Sequence, residues 1–322
     1  MEKRPEKLKV SVVLSAYNGI RFIEEQLDSI IAQTEQPDEV LIADDGSADG
    51  TVERIRAYLV SHDMPECWKL IQNEKNKGYA ANFLDASKMV SGDIVFFCDQ
   101  DDIWPPDRLK YMKKAMEIHP ELGLLCTDME IFYEDGDTRK WSKRELREMK
   151  RDGTLEFCRL SAENFHLRRE GCTMCVRRSF LERISRFWIP GWAHDDFVWK
   201  MAVTSSCCAI LHVTSLYRRM HAGNATAIRS RTRERRMLQL EGMEQQYLQM
   251  KQYAEICGVG KEGLGSIEKN IRALSLRKKA VGKRDIWLWL ILLLGYRDCY
   301  PRRKGLYLDG YFTVFDEYKG VN

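Results

Sequence analysis

"VSGDIVFFCDQDDIWPP", residues 90–106, decides the reading of this chain. Ser91-Gly92 punctuates, an apolar run follows from Ile94 to Cys98, and the run ends in Asp99, Asp101 and Asp102. A short unbroken run rich in β-branched and aromatic residues predicts a strand buried on both faces, as in a parallel sheet. Like charges gathered at its end repel one another and offer folding no evident gain, so the cluster asks for a positive partner.

The segments upstream supply the rest of such a sheet. "KVSVVLSAY" (9–17), "EVLIADDGS" (39–47) and "WKLIQN" (68–73) read as strands. Between them, "IRFIEEQLDSIIAQ" (20–33), "DGTVERIRAYLVSH" (49–62) and "YAANFLDASKMV" (79–90) space their apolar residues as helices do, with Asp49 placed to cap the second. Alternation of this kind predicts an α/β fold, a mostly parallel sheet with helices on both faces. Ligands of such sheets bind beyond the carboxyl ends of the strands. That rule gathers Ser15, Ala16, Tyr17 and Asn18, then Asp44 and Asp45, then Asp99 to Asp102 at one edge. Acids alone repel a phosphate. A divalent cation, Mg²⁺ or Mn²⁺, removes the contradiction, because it takes oxygen ligands from carboxylates and from a substrate diphosphate together.

Beyond residue 130 the pattern loosens. Residues 136–153 read as a polar loop or exposed helix, and "GCTMCVRRSFLERI" (171–184) as a short strand leading into a helix. "GWAHDDFVWKMAV" (191–203) sets His194, Asp195 and Asp196 at the start of a helix, where the dipole alone explains carboxylates. "SLYRRMHAGNATA" (215–227) is a strand entering a polar loop. From about 228 the chain is helical and basic: charges from Arg218 onward sum to +10, against −7 for the first 217 residues. Within this tail, "DIWLWLILLLGY" (285–296) is too short to span a bilayer and is flanked by Lys278, Lys279, Lys283, Arg284, Arg297, Arg302, Arg303 and Lys304. Two readings stay open for it, a helix lying in a membrane interface or one packed on the main domain. The chain opens on a charged stretch that runs into a strand, so no signal peptide is expected, and its ten cysteines are expected as free thiols of a reducing cytoplasm. Cys172 and Cys175 form a C-x₂-C pair with no matching second pair, so a zinc site is not expected.

"VSVVLSAYNG", "LIADDGSADGT", "NKGYAANFLDASKMVSGDIVFFCDQDD", "AHDDF" and "YRRMHAGN", in this order over about residues 8–225, resemble the family 2 glycosyltransferases of GT-A fold. "CDQDDIW" followed by "PPDRL" is most similar to the rhamnosyltransferase-like bacterial branch, which builds surface polysaccharide. The resemblance implies a GT-A domain over 1–225 and a basic helical extension over 226–322. It implies a UDP- or dTDP-sugar donor, with Ala16, Tyr17, Asn18 and Asp44 at the nucleoside and Asp99 near the ribose. Asp45, Lys77, Asn82, Gln100 and Asp102 join the substrate-binding set, although turn chemistry, helix packing and solvated charge also account for several of them. Asp101 is implied as the metal ligand, with His221 completing the metal shell. Asp195 is implied as the base that activates the acceptor hydroxyl, with Asp196 as the alternative. The implied acceptor is a growing, lipid-linked bacterial glycan. The protein is expected to be cytoplasmic, and the basic, tryptophan-bearing tail, which carries no general family signature, is the part that would make it peripheral on the inner face of the membrane. No nucleic-acid-binding module is recognisable.

Two rival readings have distinct consequences. A nucleotidyltransferase shares the sheet but needs a Gly-rich loop with a lysine after the first strand, where this chain has "SAYNGIRFIEE". A degenerate transferase that binds a glycan or partner without turnover would keep the fold while losing the need for Asp195.

Overall fold

The computed structural model describes residues 7–134, 149–221 and 232–317. Most of the polar stretch 136–153, and the loop after His221 together with the expected boundary at 225, lie outside the described residues. The first part runs β1 (Val10–Ala16), α1 (Ile23–Ile31), β2 (Glu39–Asp44), α2 (Thr51–Ser61), β3 (Trp68–Gln72), α3 (Tyr79–Ser87), β4 (Ile94–Asp99), α4 (Arg108–Ile118) and β5 (Leu124–Tyr133). It continues with β6 (Leu155–Cys158), β7 (Met174–Arg177), α5 (Arg178–Ile184), α6 (His194–Thr204) and β8 (Cys208–Met220). Four helices follow: α7 (Arg233–Ile256), α8 (Lys261–Lys283), α9 (Ile286–Gly295) and α10 (Arg303–Val314).

The strands form one eight-stranded sheet in the order β3-β2-β1-β4-β7-β5-β8-β6. β1 to β4 are mutually parallel, and β5 is parallel to β8. β7 runs antiparallel to both β4 and β5, and β6 antiparallel to β8. The central parallel strands β1, β2 and β4 are mostly apolar because both faces are covered, whereas the edge strand β3 exposes Lys69 and Gln72. Val12 and Leu14 point into the core beneath α1, α2 and α4, while Val13 points into the core beneath α3, α5 and α6.

Register explains why the acids gather. Ala16 is level with Asp44, and Ser15 with Asp99, so three strands end together. After two slips β8 stays paired with β5 as far as Met220 and Tyr133, and its Tyr217 exchanges backbone hydrogen bonds with Ile103 just past the acid cluster. The cap of α2 differs from expectation. Gly50, at φ 91°, takes the N-cap position, and Asp49 serves from one residue earlier, accepting from the Thr51 N–H (3.0 Å). Glycine suits that left-handed conformation, which a side chain would strain.

The tail helices have a core of their own. Leu240, Tyr247 and Met250 of α7 meet Ile267, Leu274 and Val281 of α8, Phe312 of α10 and Phe165 of the preceding part. Asp309 of α10 is fully buried and is held by Arg236 Nε (2.7 Å), Arg277 Nε (2.6 Å) and Tyr300 Oη (2.9 Å). The apolar segment expected at 285–296 is the helix α9, opened by Asp285, which accepts from the N–H groups of Trp287 (3.0 Å) and Leu288 (3.1 Å). No helix of the described residues is long and apolar enough to cross a membrane.

Candidate active site

A cleft of about 410 Å³ opens where β1, β2 and β4 end. Its lining includes Ser15, Tyr17, Asp45, Tyr79, Phe83, Asp99, Gln100, Asp101, Glu170, Gly171, His194, Asp195 and Arg218. The structure thus brings the first, second and fourth strand ends to one place together with the start of α6 and the end of β8.

The two acids of the β2 turn have different surroundings. Asp44 is fully buried and turns back on its own loop, where Oδ1 accepts from the Gly46 (3.0 Å) and Ser47 (2.9 Å) N–H groups and Oδ2 from the Ser47 hydroxyl. Asp45 reaches the cleft, held by the N–H groups of Lys77 (2.9 Å) and Gly78 (2.8 Å) and by the Asn73 amide (3.0 Å). Asn82 lies behind this wall, donating to Ser15 Oγ (2.8 Å) and the Ala43 carbonyl (2.7 Å). The Lys77 ammonium points to Asp85 (3.3 Å) and does not line the cleft.

The β1 turn is a clamp. Gln100 Oε1 accepts from the Tyr17 N–H (2.8 Å), and its amide nitrogen donates to the Tyr17 carbonyl (2.9 Å). The glutamine side chain lies so close to Gly19 that a Cβ there would sit 2.0 Å from Oε1. Asn18 takes a φ of 49° and accepts from the Ala48 N–H (2.9 Å), tying this turn to the next. Ala16 is buried within β1 and does not line the cleft, whereas Tyr17 is half exposed above it.

The acid cluster concentrates negative charge in a dry place. Burial, and then Asp101, push the Asp99 carboxyl up to about 7, with Arg218 opposing. Asp102 is 2% exposed, and burial followed by Asp101 and Asp99 drive its carboxyl well above the ordinary range. Its Oδ1 accepts from the Arg219 N–H (3.0 Å), while its buried Oδ2 has no hydrogen-bond partner among the described residues. Arg219 holds the loop from β8: its Nε donates to the Asp101 carbonyl (2.9 Å), and its guanidinium pairs with Glu25 and Glu134. The same strand end delivers His221, whose Nε2 lies 2.8 Å from Asp101 Oδ2.

Two donor sets are available to a cation. Asp99, Asp102 and Cys172 offer atoms within 4.8 Å of one another. Burial, then Asp102, raise the Cys172 thiol well above its ordinary value, however, and a protonated sulfur is a poor ligand for a hard ion. Asp101 and His221 present oxygen and nitrogen at a spacing close to that of neighbouring ligands on an octahedron with bonds of about 2.1 Å. Asp101 also lines the cleft. The residues present therefore fit a divalent cation at Asp101, with the orphaned Asp102 oxygen and the raised Asp99 carboxyl as signs of uncompensated negative charge beside it.

Asp195 and Asp196 separate at the start of α6. Asp195 faces the cleft and accepts from the Asp196 N–H (2.7 Å). Asp196 turns away, accepting from the Trp192 indole (2.8 Å) and pairing with the Lys200 ammonium, which is almost wholly buried. His194 is 4% exposed and stacks on Phe83 (centroids 4.3 Å). Burial lowers its pKa, opposed by the Asp195 charge. Gly171 allows this turn to approach, since a Cβ there would lie 2.4 Å from His194 Nε2. A second cavity of about 370 Å³ adjoins, bounded by Glu170, Asp196, Lys200, Arg168 and the tail residues Tyr247 and Arg302. Glu170 lines both spaces.

Among the cleft residues that were not expected are Tyr79, Glu170 and Arg218. The Arg218-Arg219 pair near the end of a mostly apolar strand was the available signal for Arg218, which reaches Glu170 (3.5 Å) beside the acids. Nothing local marks Glu170 or Tyr79.

Residues 11–184 match the model of a family described as glycosyl transferase family 2. The UDP-Glc:alpha-D-GlcNAc-diphosphoundecaprenol beta-1,3-glucosyltransferase WfgD of Escherichia coli is 31% identical over 122 residues, which are 38% of this chain and 46% of that protein. The chain spans less than half the length of the curated relatives it matches. Among solved structures, Staphylococcus aureus TarS 1-349 in complex with UDP-GlcNAc superposes with a TM-score of 0.62 at 21% identity, covering 95% of this chain and 90% of that one. The mannosyltransferase PcManGT from Pyrobaculum calidifontis, in complex with GDP-Man and Mn²⁺, gives 0.53 at 17% identity, covering 96% and 86%. The fold is of GT-A type with added C-terminal helices.

Proposed function

The chain belongs to glycosyl transferase family 2, and from that premise we propose that it is an inverting, metal-dependent enzyme. In this reading it moves one hexose from a nucleoside-diphosphate sugar to a growing, lipid-linked bacterial glycan on the cytoplasmic side. The observation that carries the reading is the convergence of Asp45, Asp99, Asp101, Asp195 and Arg218 on one cleft at the strand ends. A uridine diphosphate donor is supported by the fold shared with TarS, and the "CDQDDIWPPDRL" stretch (98–109) keeps dTDP-sugars, including a rhamnosyl donor, beside it.

Asp101 and His221 would hold Mn²⁺ or Mg²⁺ on the donor diphosphate, where the ion offsets the charge of the leaving group. Arg218, set among the acids, adds a guanidinium to the lining of the same space, a fork of donors that suits phosphate oxygens. Tyr17 and Asp45 flank the nucleoside side, and Gln100, Asn18 and Asp44 keep those turns in shape. Asp195 takes the proton of the acceptor hydroxyl. That oxygen attacks the anomeric carbon as the bond to the diphosphate breaks, which inverts the configuration. Asp196, already committed to Trp192 and Lys200, positions the helix start and is not the base. The second cavity, one residue from Asp195 and sharing Glu170, receives the acceptor.

The test is release of nucleoside diphosphate from a panel of UDP- and dTDP-sugars. Asp195→Asn is expected to lower turnover by about 10²- to 10⁴-fold while nucleotide binding persists. Equal turnover in the variant would remove Asp195 as base. Binding without turnover in the wild-type protein, across the panel and with glycan acceptors, would favour the binding-module reading.

A further inference from the structure

We propose that the outward face of α9 is a docking surface for an anionic lipid bilayer. The helix has two unlike sides. Inward, Leu292 is buried, the Trp289 indole donates to the Leu306 carbonyl (2.9 Å), and its ring lies where a Cβ on Gly310 would be 2.4 Å from Cε2. Outward, Ile286, Trp287, Ile291 and Leu294 are exposed, Trp287 at 74% and Leu294 at 80%. Spacings of four and three residues put Trp287, Ile291 and Leu294 on one stripe. The helix therefore satisfies its fold with one side and leaves the other exposed among the described residues.

The rim says what would cover it. Lys279 and Lys283 are exposed before the helix, and Arg297, Arg302, Arg303 and Lys304 after it. Three of the acids nearby are engaged: Asp285 caps the helix, Asp298 pairs with Lys269 (2.5 Å), and Asp316 pairs with Arg284 (2.5 Å), while Glu317 beside it is exposed. An apolar centre between two basic margins suits a bilayer whose acyl boundary takes the side chains and whose anionic headgroups meet the cations. A second copy of the same face would bring both basic margins against their like, within a Debye length. At ten residues, α9 is about 15 Å long, which fits lying on a bilayer and not crossing it. The apolar stripe shares no residue with the cleft, and of the rim Arg302 alone also bounds the second cavity, so docking does not depend on the reaction proposed above.

Co-sedimentation of the full chain with phosphatidylcholine vesicles, with and without phosphatidylglycerol, tests this. The chain is expected to sediment with the anionic vesicles and to be released by high salt. A Trp287→Ser/Leu294→Ser double variant should lose apparent affinity by about tenfold or more, and Arg303→Glu/Lys304→Glu should reduce binding to anionic vesicles selectively. Because all four side chains are exposed, both variants are expected to unfold at the wild-type temperature, which a melting curve checks. Wild-type chain left in the supernatant with anionic vesicles would overturn the proposal, as would undiminished sedimentation of the double variant. So would a dimer, seen by light scattering, that the apolar variant dissolves.

Discussion

Asp195 and Asp196 stand next to each other in sequence, and sequence alone leaves either as the base. The structure separates them by their partners: one faces the cleft, the other is tied to an indole and a buried ammonium. Removing Asp196 would strand the Lys200 charge, so Asp196→Ala is expected to cost stability, about 3 kcal/mol in denaturant unfolding, where Asp195→Ala costs little. The β2 turn teaches the same lesson. Asp44 and Asp45 were both legible as strand-end acids, but which one turns inward is set by the Gly46-Ser47 loop closing on Asp44, and no pattern in the sequence encodes that choice. Asp99 supplies a pH prediction. Its folded value of about 7 lies above its ordinary 3.8, so the metal-free folded state binds the proton more tightly than the unfolded chain does. That contribution is fully present below about pH 4 and is lost as pH rises to about 7. Melting temperatures of metal-free protein should therefore fall over that window beyond any trend in Asp99→Asn, and parallel curves for the two proteins would contradict the assignment.

At the scale of elements, β8 organises the site from outside the classical strand ends. Arg219 fastens the Asp101–Ile103 loop to this strand, and the strand then delivers Arg218 and His221 to either side of it. Arg219→Met should lower stability by about 2 kcal/mol, through lost charged hydrogen bonds, and weaken cation and nucleotide binding together. Calorimetry would show this, and normal binding in a destabilised variant would mean the loop holds its shape unaided. Strands β1 to β4 and helices α1 to α3 were readable because their periodicity is strong and local. The antiparallel insertion of β7 between β4 and β5 was not, because pairing across some 80 residues leaves no periodic trace. Glu170 and Arg218 were hidden for the same reason: their place in the cleft depends on where distant segments pack.

At the scale of the whole molecule, the tail is a helical unit locked by one buried acid. Asp309→Ala would leave Arg236 and Arg277 buried without their counter-charge, and is expected to cost about 3 to 5 kcal/mol, lowering the melting temperature without altering the cleft's lining. The helical character and basic charge of the tail were legible. The question posed by the apolar segment 285–296 was not answerable from composition, since α9 both packs inward and exposes a stripe outward. Whether the unit from about 226 is best regarded as a separate extension depends on its folding alone, and we propose that it does not, because Phe165 lies in its core.

The central claim is that the acid cluster keeps its place by holding a cation on a nucleoside diphosphate. Thermal unfolding in UDP, dTDP, GDP and CDP, each with and without Mn²⁺, on wild type and Asp101→Asn, addresses it without knowledge of the acceptor. A ligand that binds only the folded state at a hundred times its Kd adds about 2.7 kcal/mol of stability. The account predicts a metal-dependent rise with UDP or dTDP that Asp101→Asn abolishes. A rise of equal size without Mn²⁺, or one that survives in Asp101→Asn, would contradict it.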